Sequence, residues 1–417
     1  MKIEKKYKYL VVNLKKKIFT SLFIVLIYFP IFSQTNKRKI DFPNINGYYT
    51  LSTDFHQHTV FSDGNVWPTI RVQESFKDGL DAISLTEHLE YQPHSSDIPH
   101  PDRNRSYQLA KKYADNLNNS LQEKEKLLII NGQEITRKMP PGHINAIFIK
   151  NANLLLHKED SIQGIIEANK QGAFLFWNHP AWPAQRSDGI AKLDSLHEYL
   201  ISNNLIHGIE VVNELYYSEE ALQIALDNNL TIMGTSDIHG LIDWLFDISN
   251  EKHDKEENNQ FVIENHRPVT LVFAKEKTEI GIKKALFDGN TVVYYNELLI
   301  GKKEFLKPLV ENSLKMVKEE NLQLGYSETG KSSITKVKII NIANAPFILK
   351  NKSQFTFETK NDVILIPSKS TTEISIKTTN KINVDNFTFF VLNAITAPKQ
   401  YLEIDLKLES QETSLNN

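Results

Sequence analysis

The 417-residue sequence predicts an α/β barrel followed by a small all-β domain. Three observations carry that reading. Strand-like and helix-like segments alternate from residue 48 to about residue 300; the strand-like segments are apolar enough to be buried on both faces; and after about residue 310 the helical signals give way to short alternating runs. Alternation with doubly buried strands argues for a parallel sheet with crossover helices. Seven or eight such units fit a closed barrel better than an open sheet.

In chain order the strand candidates are "YYTLSTDFHQH", "LDAISLTEH", "KLLIINGQEIT", "HINAIFIK", "AFLFWNHP", "IHGIEVVNE", "NLTIMGTSDIH" and "RPVTLVFA". Between them, residues 68–78, 160–171, 189–203 and 218–228 carry helical spacing of apolar positions. The composition shifts within "LLIGKKEFLKPLVEN", which separates a domain at residues 34–310 from one at 311–417. The second contains "SITKVKIINI", "DVILIP", "TTEISIKTT", "FTFFVLNAI" and "YLEIDLKL" between Asn, Ser, Pro and Lys, the pattern of a small antiparallel sandwich.

Composition narrows the chemistry. Lysine and arginine number 48 against 51 acidic residues, a net charge of -3, so no basic field for bulk nucleic-acid binding exists. There is no cysteine, which removes disulfides, thiolate metal sites and a cysteine nucleophile. At the N-terminus, Lys2, Lys5, Lys6, Lys8, Lys15, Lys16 and Lys17 precede an apolar run at residues 18–32, interrupted by Pro30 and followed by Ser33 and Gln34. The run is shorter than the roughly 20 apolar residues of a spanning helix. It reads as a cleaved signal peptide over residues 1–33, with the mature protein exported to the periplasm or cell envelope and touching membrane only before cleavage.

Histidines and acids gather at the ends of the predicted strands: His56 and His58 after the first, Glu87 and His88 after the second, Glu134 in the third, His179 after the fifth, Asp237 and His239 after the seventh. A barrel of parallel strands brings all such ends to one face, where active sites are built. In His-x-His the two imidazoles share a face, because side chains in a strand repeat every second residue. So many buried acids and imidazoles at one barrel mouth would be costly unless cations neutralised them. Neutral imidazoles with carboxylates suit zinc, manganese or iron.

"DFHQHTVFSDG", "AISLTEH", "GQEIT" with "GHINAIFI", "FWNHP" and "GTSDIHG" together resemble, in order, the motifs of the PHP family, named for polymerase and histidinol phosphatase domains. The resemblance spans residues 50–300 and implies a distorted (β/α)7 barrel holding three divalent metal ions. It implies a first ion on His56, His58, Glu134 and Asp237, a second on Glu134, His143 and His179, and a third on Asp63, His88 and His239. Glu134, Asp237 and His239 are implied to be catalytic as well. Glu87 stands where the family usually has aspartate, a place beside the ligands that bears on the orientation of His88.

The resemblance implies a metal-dependent phosphoesterase acting on a small phosphoester. Arg103, Arg105, Arg137 and Arg186 fall in loops expected at the catalytic face, where guanidinium groups would meet phosphate. Trp177 and Trp182, flanking His179, are expected to pack as wall or core. The whole-chain plan of leader, barrel and β-rich tail resembles, more loosely, exported bacterial phosphodiesterases of the Sb-PDE type. A phosphodiesterase is therefore the expected activity, with a histidinol-phosphatase-like phosphomonoesterase and a non-catalytic metal-containing binding module as alternatives.

Overall fold

The computed structural model describes residues 39–157, 160, 162–246, 266–318, 333–353, 355–357, 362–378 and 386–409. The expected signal peptide lies outside the described residues. No helix among the described residues is long and apolar enough to cross a membrane.

All eight expected barrel strands form: β1 (Tyr49–Asp54), β2 (Ala82–Leu85), β3 (Leu128–Ile135), β4 (Ile144–Ile147), β5 (Phe174–Trp177), β6 (Gly208–Asn213), β8 (Thr231–Thr235) and β9 (Val269–Ala274), with a two-residue β7 (Tyr216–Tyr217) hairpinned onto β6. Pairing runs β8, β6, β5, β4, β3, β2, β1, β9. The sheet is mixed rather than wholly parallel. β4 is antiparallel to both β3 and β5, because residues 136–143 are too few for a crossover helix and can only form a hairpin. β9 is antiparallel to β1. The ring closes where Gln57, just beyond β1, bridges Ile238 beyond β8. Gly234 lets β8 pass close to Val293, since a Cβ there would lie 2.3 Å from that side chain.

Helices α1 (Pro68–Asp78), α2 (Arg105–Asn118), α3 (Gln163–Lys170), α4 (Ser195–Ser202), α5 (Glu219–Asp227), the short α6 (Ile242–Leu245) and α7 (Glu279–Phe287) accompany the strands. Pro68 opens α1, and Gly79 closes it at φ 69. α2 was not expected, and Arg105 is its first residue rather than a loop residue. Its buried face is built from Ser106, Ala110 and Ala114, residues too small and weakly apolar to mark helical periodicity. Leu51, Phe55, Ile130, Phe174, Phe176, Met233 and Val272, drawn from five strands or their ends, join in one apolar cluster that fills the barrel. Burying each phenylalanine contributes roughly 1.5–3 kcal/mol.

β10 (Thr291–Tyr295) pairs with β9 and, through a tight turn, with β11 (Leu298–Gly301). Neither strand was expected. Asn296 and Glu297 in the turn have φ of 48 and 65, the backbone of a two-residue hairpin usually signalled by glycine, which is absent here. α8 (Lys303–Ser313) then runs directly into β12 (Leu314–Lys318). The expected C-terminal runs form β13 (Ser333–Asn341), β16 (Val363–Ile366), β17 (Thr371–Thr378), β18 (Asn386–Ala397) and β19 (Gln400–Glu409), joined by β14 (Phe347–Asn351) and β15 (Thr356–Phe357). β16, β14, β18 and β19 make one sheet; β12, β13, β17 and β15 make the other. Phe347, Phe387 and Phe389 from the first face Ile339, Ile374 and Ile376 from the second in one core. β11 pairs in parallel with β18, so the barrel sheet continues into the sandwich by main-chain hydrogen bonds.

Candidate metal centre

Each predicted ligand position is delivered by a strand end, and local backbone chemistry explains how. His56 and His58 follow β1 and are fully buried. Asp63 comes back toward them because the loop folds onto itself at Gly64, where a Cβ would lie 2.7 Å from the His58 carbonyl carbon. His88 extends β2 and bridges Glu134 of β3. His143 precedes β4, and because β4 is antiparallel its start lies at the same end of the barrel. His179 and Asp237 lie just beyond β5 and β8 with φ of 30 and 46. Such left-handed backbone in non-glycine residues is sparse and gathers at functional sites.

The nine side chains meet. The Nε2 atoms of His56 and His58 are 3.1 Å apart, and each is 3.0 Å from Asp237 Oδ1. Glu134 lies 3.5 Å from His56, 3.8 Å from His58, 3.0 Å from His143 and 3.6 Å from His179. Asp63 is 3.3 Å from both His88 Nε2 and His239 Nε2. His88 sits between two groups, since its Nδ1 is 2.5 Å from Glu134 Oε2.

This donor set fits divalent cations. Glu134 Oε2, Asp237 Oδ1 and Asp63 Oδ1 are buried with imidazole nitrogens beside them but no well-aligned hydrogen bond, a costly state for carboxylate oxygens without a cation. Burial alone would raise the Glu134 carboxyl, yet His88 and His143 hold it well below the usual range; His56 and His58 do the same to Asp237. Burial would lower the His56 imidazole, but Asp237 and Glu210 carry it up to about 10, a measure of the negative field at this point.

The sequence reading missed a surrounding layer. Glu210 is buried on β6, immediately before a register shift in its pairing with β8, an irregularity that re-aims a side chain. Its Oε1 accepts the His56 Nδ1 proton at 2.8 Å and the Thr235 hydroxyl at 2.6 Å, while Oε2 accepts the His179 amide at 2.7 Å. That leaves His56 Nε2 facing the cluster. Asn178 donates to Glu134 Oε1 at 2.7 Å. Arg71, buried on α1, donates to the carbonyls of His58 at 2.9 Å and Ile238 at 3.1 Å, clasping the two loops that carry ligand positions. Glu87 differs from expectation. It accepts from the amide and hydroxyl of Thr59 and the hydroxyl of Ser62, so it shapes the loop between His58 and Asp63, whereas His88 meets Thr136 at 2.8 Å. The apolar run of β6 could have marked Glu210, a lone acid among buried apolar positions; nothing in the sequence marks the loop contacts of Glu87.

Three of the four predicted arginines are bonded to protein groups. Arg103 donates to Gln92, Arg137 pairs with Glu90 and donates to the His157 carbonyl, and Arg186 pairs with Asp194. Arg105 is half-buried at the start of α2. The two tryptophans separate: Trp177 is fully buried and stacks on His197 at 4.0 Å, as core, but Trp182 is 45% exposed and sets its edge against His143 and His179.

Comparison with known proteins places the geometry. Residues 320–407 match an Ig-like domain family. No curated protein matches the chain. Among solved structures, a two-domain protein of Bacteroides vulgatus containing a predicted PHP-like metal-dependent phosphoesterase is 38% identical, with TM-score 0.77, over 89% of this chain and 98% of that one. A Bifidobacterium adolescentis protein assigned as a metal-dependent phosphoesterase is 15% identical, with TM-score 0.35, over 49% of this chain and 91% of that one. An amidohydrolase of Chromobacterium violaceum is 14% identical, with TM-score 0.32, over 45% and 87%. With a barrel whose mouth gathers imidazoles and carboxylates, a C-terminal sandwich and that degree of identity along nearly the whole relative, the chain belongs to the two-domain PHP-like metal-dependent phosphoesterases.

Proposed function

We propose that this hydrolase is a phosphodiesterase, and the observation that carries the metal-dependent part is the convergence of nine imidazoles and carboxylates on one barrel mouth. In this reading His56, His58, Glu134 and Asp237 would hold one ion, Glu134, His143 and His179 a second, and Asp63, His88 and His239 a third, with Glu134, Asp237 and His239 central to catalysis. Bound divalent cations would acidify water and hold phosphoryl oxygens. The protein's own part is orientation: Glu210 keeps the His56 proton on Nδ1, Arg71 joins the loops carrying His58 and Asp237, and Trp182 packs edge-to-face against His143 and His179.

The diester preference rests on charge. A monoester carries close to two negative charges and a diester one, so a monoesterase calls for more fixed positive charge beside its ions. Arg103, Arg137 and Arg186 are already bound to protein groups, two of them to carboxylates. With manganese-loaded enzyme, bis(4-nitrophenyl) phosphate should be cleaved with higher kcat/KM than 4-nitrophenyl phosphate. A monoester advantage of tenfold or more, about 1.4 kcal/mol, would overturn the diesterase reading in favour of a phosphomonoesterase.

Glu210 provides a second test. Glu210→Gln keeps the shape but removes the charge that fixes the His56 tautomer, and outer partners of this kind are worth about 10–100-fold in metal affinity or activity. Titration of metal-stripped protein should show that loss, with Thr235→Val giving a smaller one. Unchanged affinity and turnover in Glu210→Gln would remove Glu210 from the machinery.

A further inference from the structure

Three of the four tryptophans are exposed, and all three follow strand ends at the barrel mouth: Trp67 (43%) after β1, at the cap of α1, Trp182 (45%) in the loop after β5, and Trp244 (72%) in the short α6 after β8. Tyr91 (53%) follows β2, and Tyr216 (74%) follows β6. A tryptophan has 150–250 Å² to bury, so exposure of nearly the whole complement at one end of a barrel is unusual. Single exposed apolar residues need no explanation; a concentration of them marks a binding surface.

Two of the five touch the cluster itself. The Trp182 ring is 5.1 Å from His179 and 5.8 Å from His143, and its backbone amide donates to the His179 carbonyl at 2.9 Å. The Tyr91 and His88 ring centres are 5.9 Å apart in an edge-to-face arrangement. Trp244 lies over Gly240, next to His239, so close that a Cβ on Gly240 would be 3.3 Å from the indole. A phosphoryl group held at the cluster would therefore carry its ester arms past these rings. Aromatic faces are electronegative, so they repel the phosphate and attract flat apolar rings.

We propose that Trp182 and Tyr91, with Trp244 and Trp67 farther out, form a subsite for a planar aromatic arm of the substrate. The substrate class is then a phosphodiester bearing at least one aryl group or nucleobase. This rests on the phosphoesterase reading and adds to it the identity of the arm.

The test holds the leaving group constant as 4-nitrophenolate and varies the other arm among methyl, cyclohexyl, phenyl and 5′-thymidyl. In the metal-loaded enzyme the phenyl ester should exceed the methyl ester at least tenfold in kcat/KM, with cyclohexyl between them. In Trp182→Ala and Tyr91→Ala the phenyl-to-methyl ratio should fall toward one, a comparison in which the intrinsic reactivity of the esters cancels. Preference for thymidyl over phenyl would assign the arm to a nucleoside, and the reverse to an aryl group. Independently of turnover, diphenyl phosphate should change tryptophan fluorescence where dimethyl phosphate does not, with the change reduced in Trp182→Phe. Equal ratios in wild type and both variants, or equal responses to the two phosphates, would overturn the subsite while leaving the phosphoesterase reading intact. A fluorescence response to diphenyl phosphate without hydrolysis of any nitrophenyl ester would do the opposite. Partition onto phosphatidylcholine vesicles with no aryl preference would assign the rings to a membrane surface and overturn the subsite.

Discussion

Glu134→Gln should emerge from metal reconstitution with less bound divalent cation than wild type and with kcat/KM reduced by more than about 100-fold, the upper end of what losing an outer partner costs. The reason is position. Glu134 lies within 3.8 Å of His56, His58, His88, His143 and His179, so one carboxylate faces most of the cluster. An amide of the same shape keeps the Asn178 contact geometry but presents one oxygen and no charge. Metal content by mass spectrometry and turnover of bis(4-nitrophenyl) phosphate on the same sample would check it. A variant with full metal and full activity would show that the cluster does not depend on Glu134, and the ligand assignment would fall.

Arg267→Met is expected to have the largest effect on stability, about 3–5 kcal/mol. Arg267 is fully buried at the entry to β9, with Nη1 3.1 Å from Asp54 and Nη2 2.7 Å from Asp78. Methionine fills the space but leaves two buried carboxylates without their countercharge. Asp54 then loses the Arg267 guanidinium, which now opposes the upward push of burial on its carboxyl. An acid whose folded pKa lies above its unfolded one binds a proton on folding, so the variant's deficit should shrink as pH falls from 8 toward 5 and grow as pH rises. The melting temperature at pH 8 should drop by roughly 6–10 °C. A drop under 2 °C, or a deficit independent of pH, would show the triad to be energetically idle.

How much of this was legible beforehand follows the range of the interactions. The barrel strands β1 to β6, β8 and β9 were readable because doubly buried strands are continuous apolar runs. The β10–β11 hairpin was not, because its turn uses Asn296 and Glu297 in a backbone usually marked by glycine. α2 hid behind alanines. His-x-His, Asp-x-His and the acids at strand ends announced the cluster, since each motif is local. The layer around it is made of contacts across long stretches of chain: Glu210 to His56, Arg71 to Ile238, Arg267 to Asp54. No local pattern records which distant partner a buried polar group will meet.

The sequence alone determined the residue types at the barrel mouth, the strand ends that carry them and the all-β character of the tail, because periodicity and composition act over a few residues. Tertiary structure decided three things. It made β4 and β9 antiparallel, which puts the start of β4 and thus His143 at the cluster. It paired Arg137 with Glu90 and Arg186 with Asp194, partners that no local pattern names. And it separated two tryptophans five residues apart, one into the core and one onto the rim. The physical reason is common to all three. Strand direction depends on loop length against sheet geometry, and the fate of a charge or a ring depends on what the rest of the chain brings beside it.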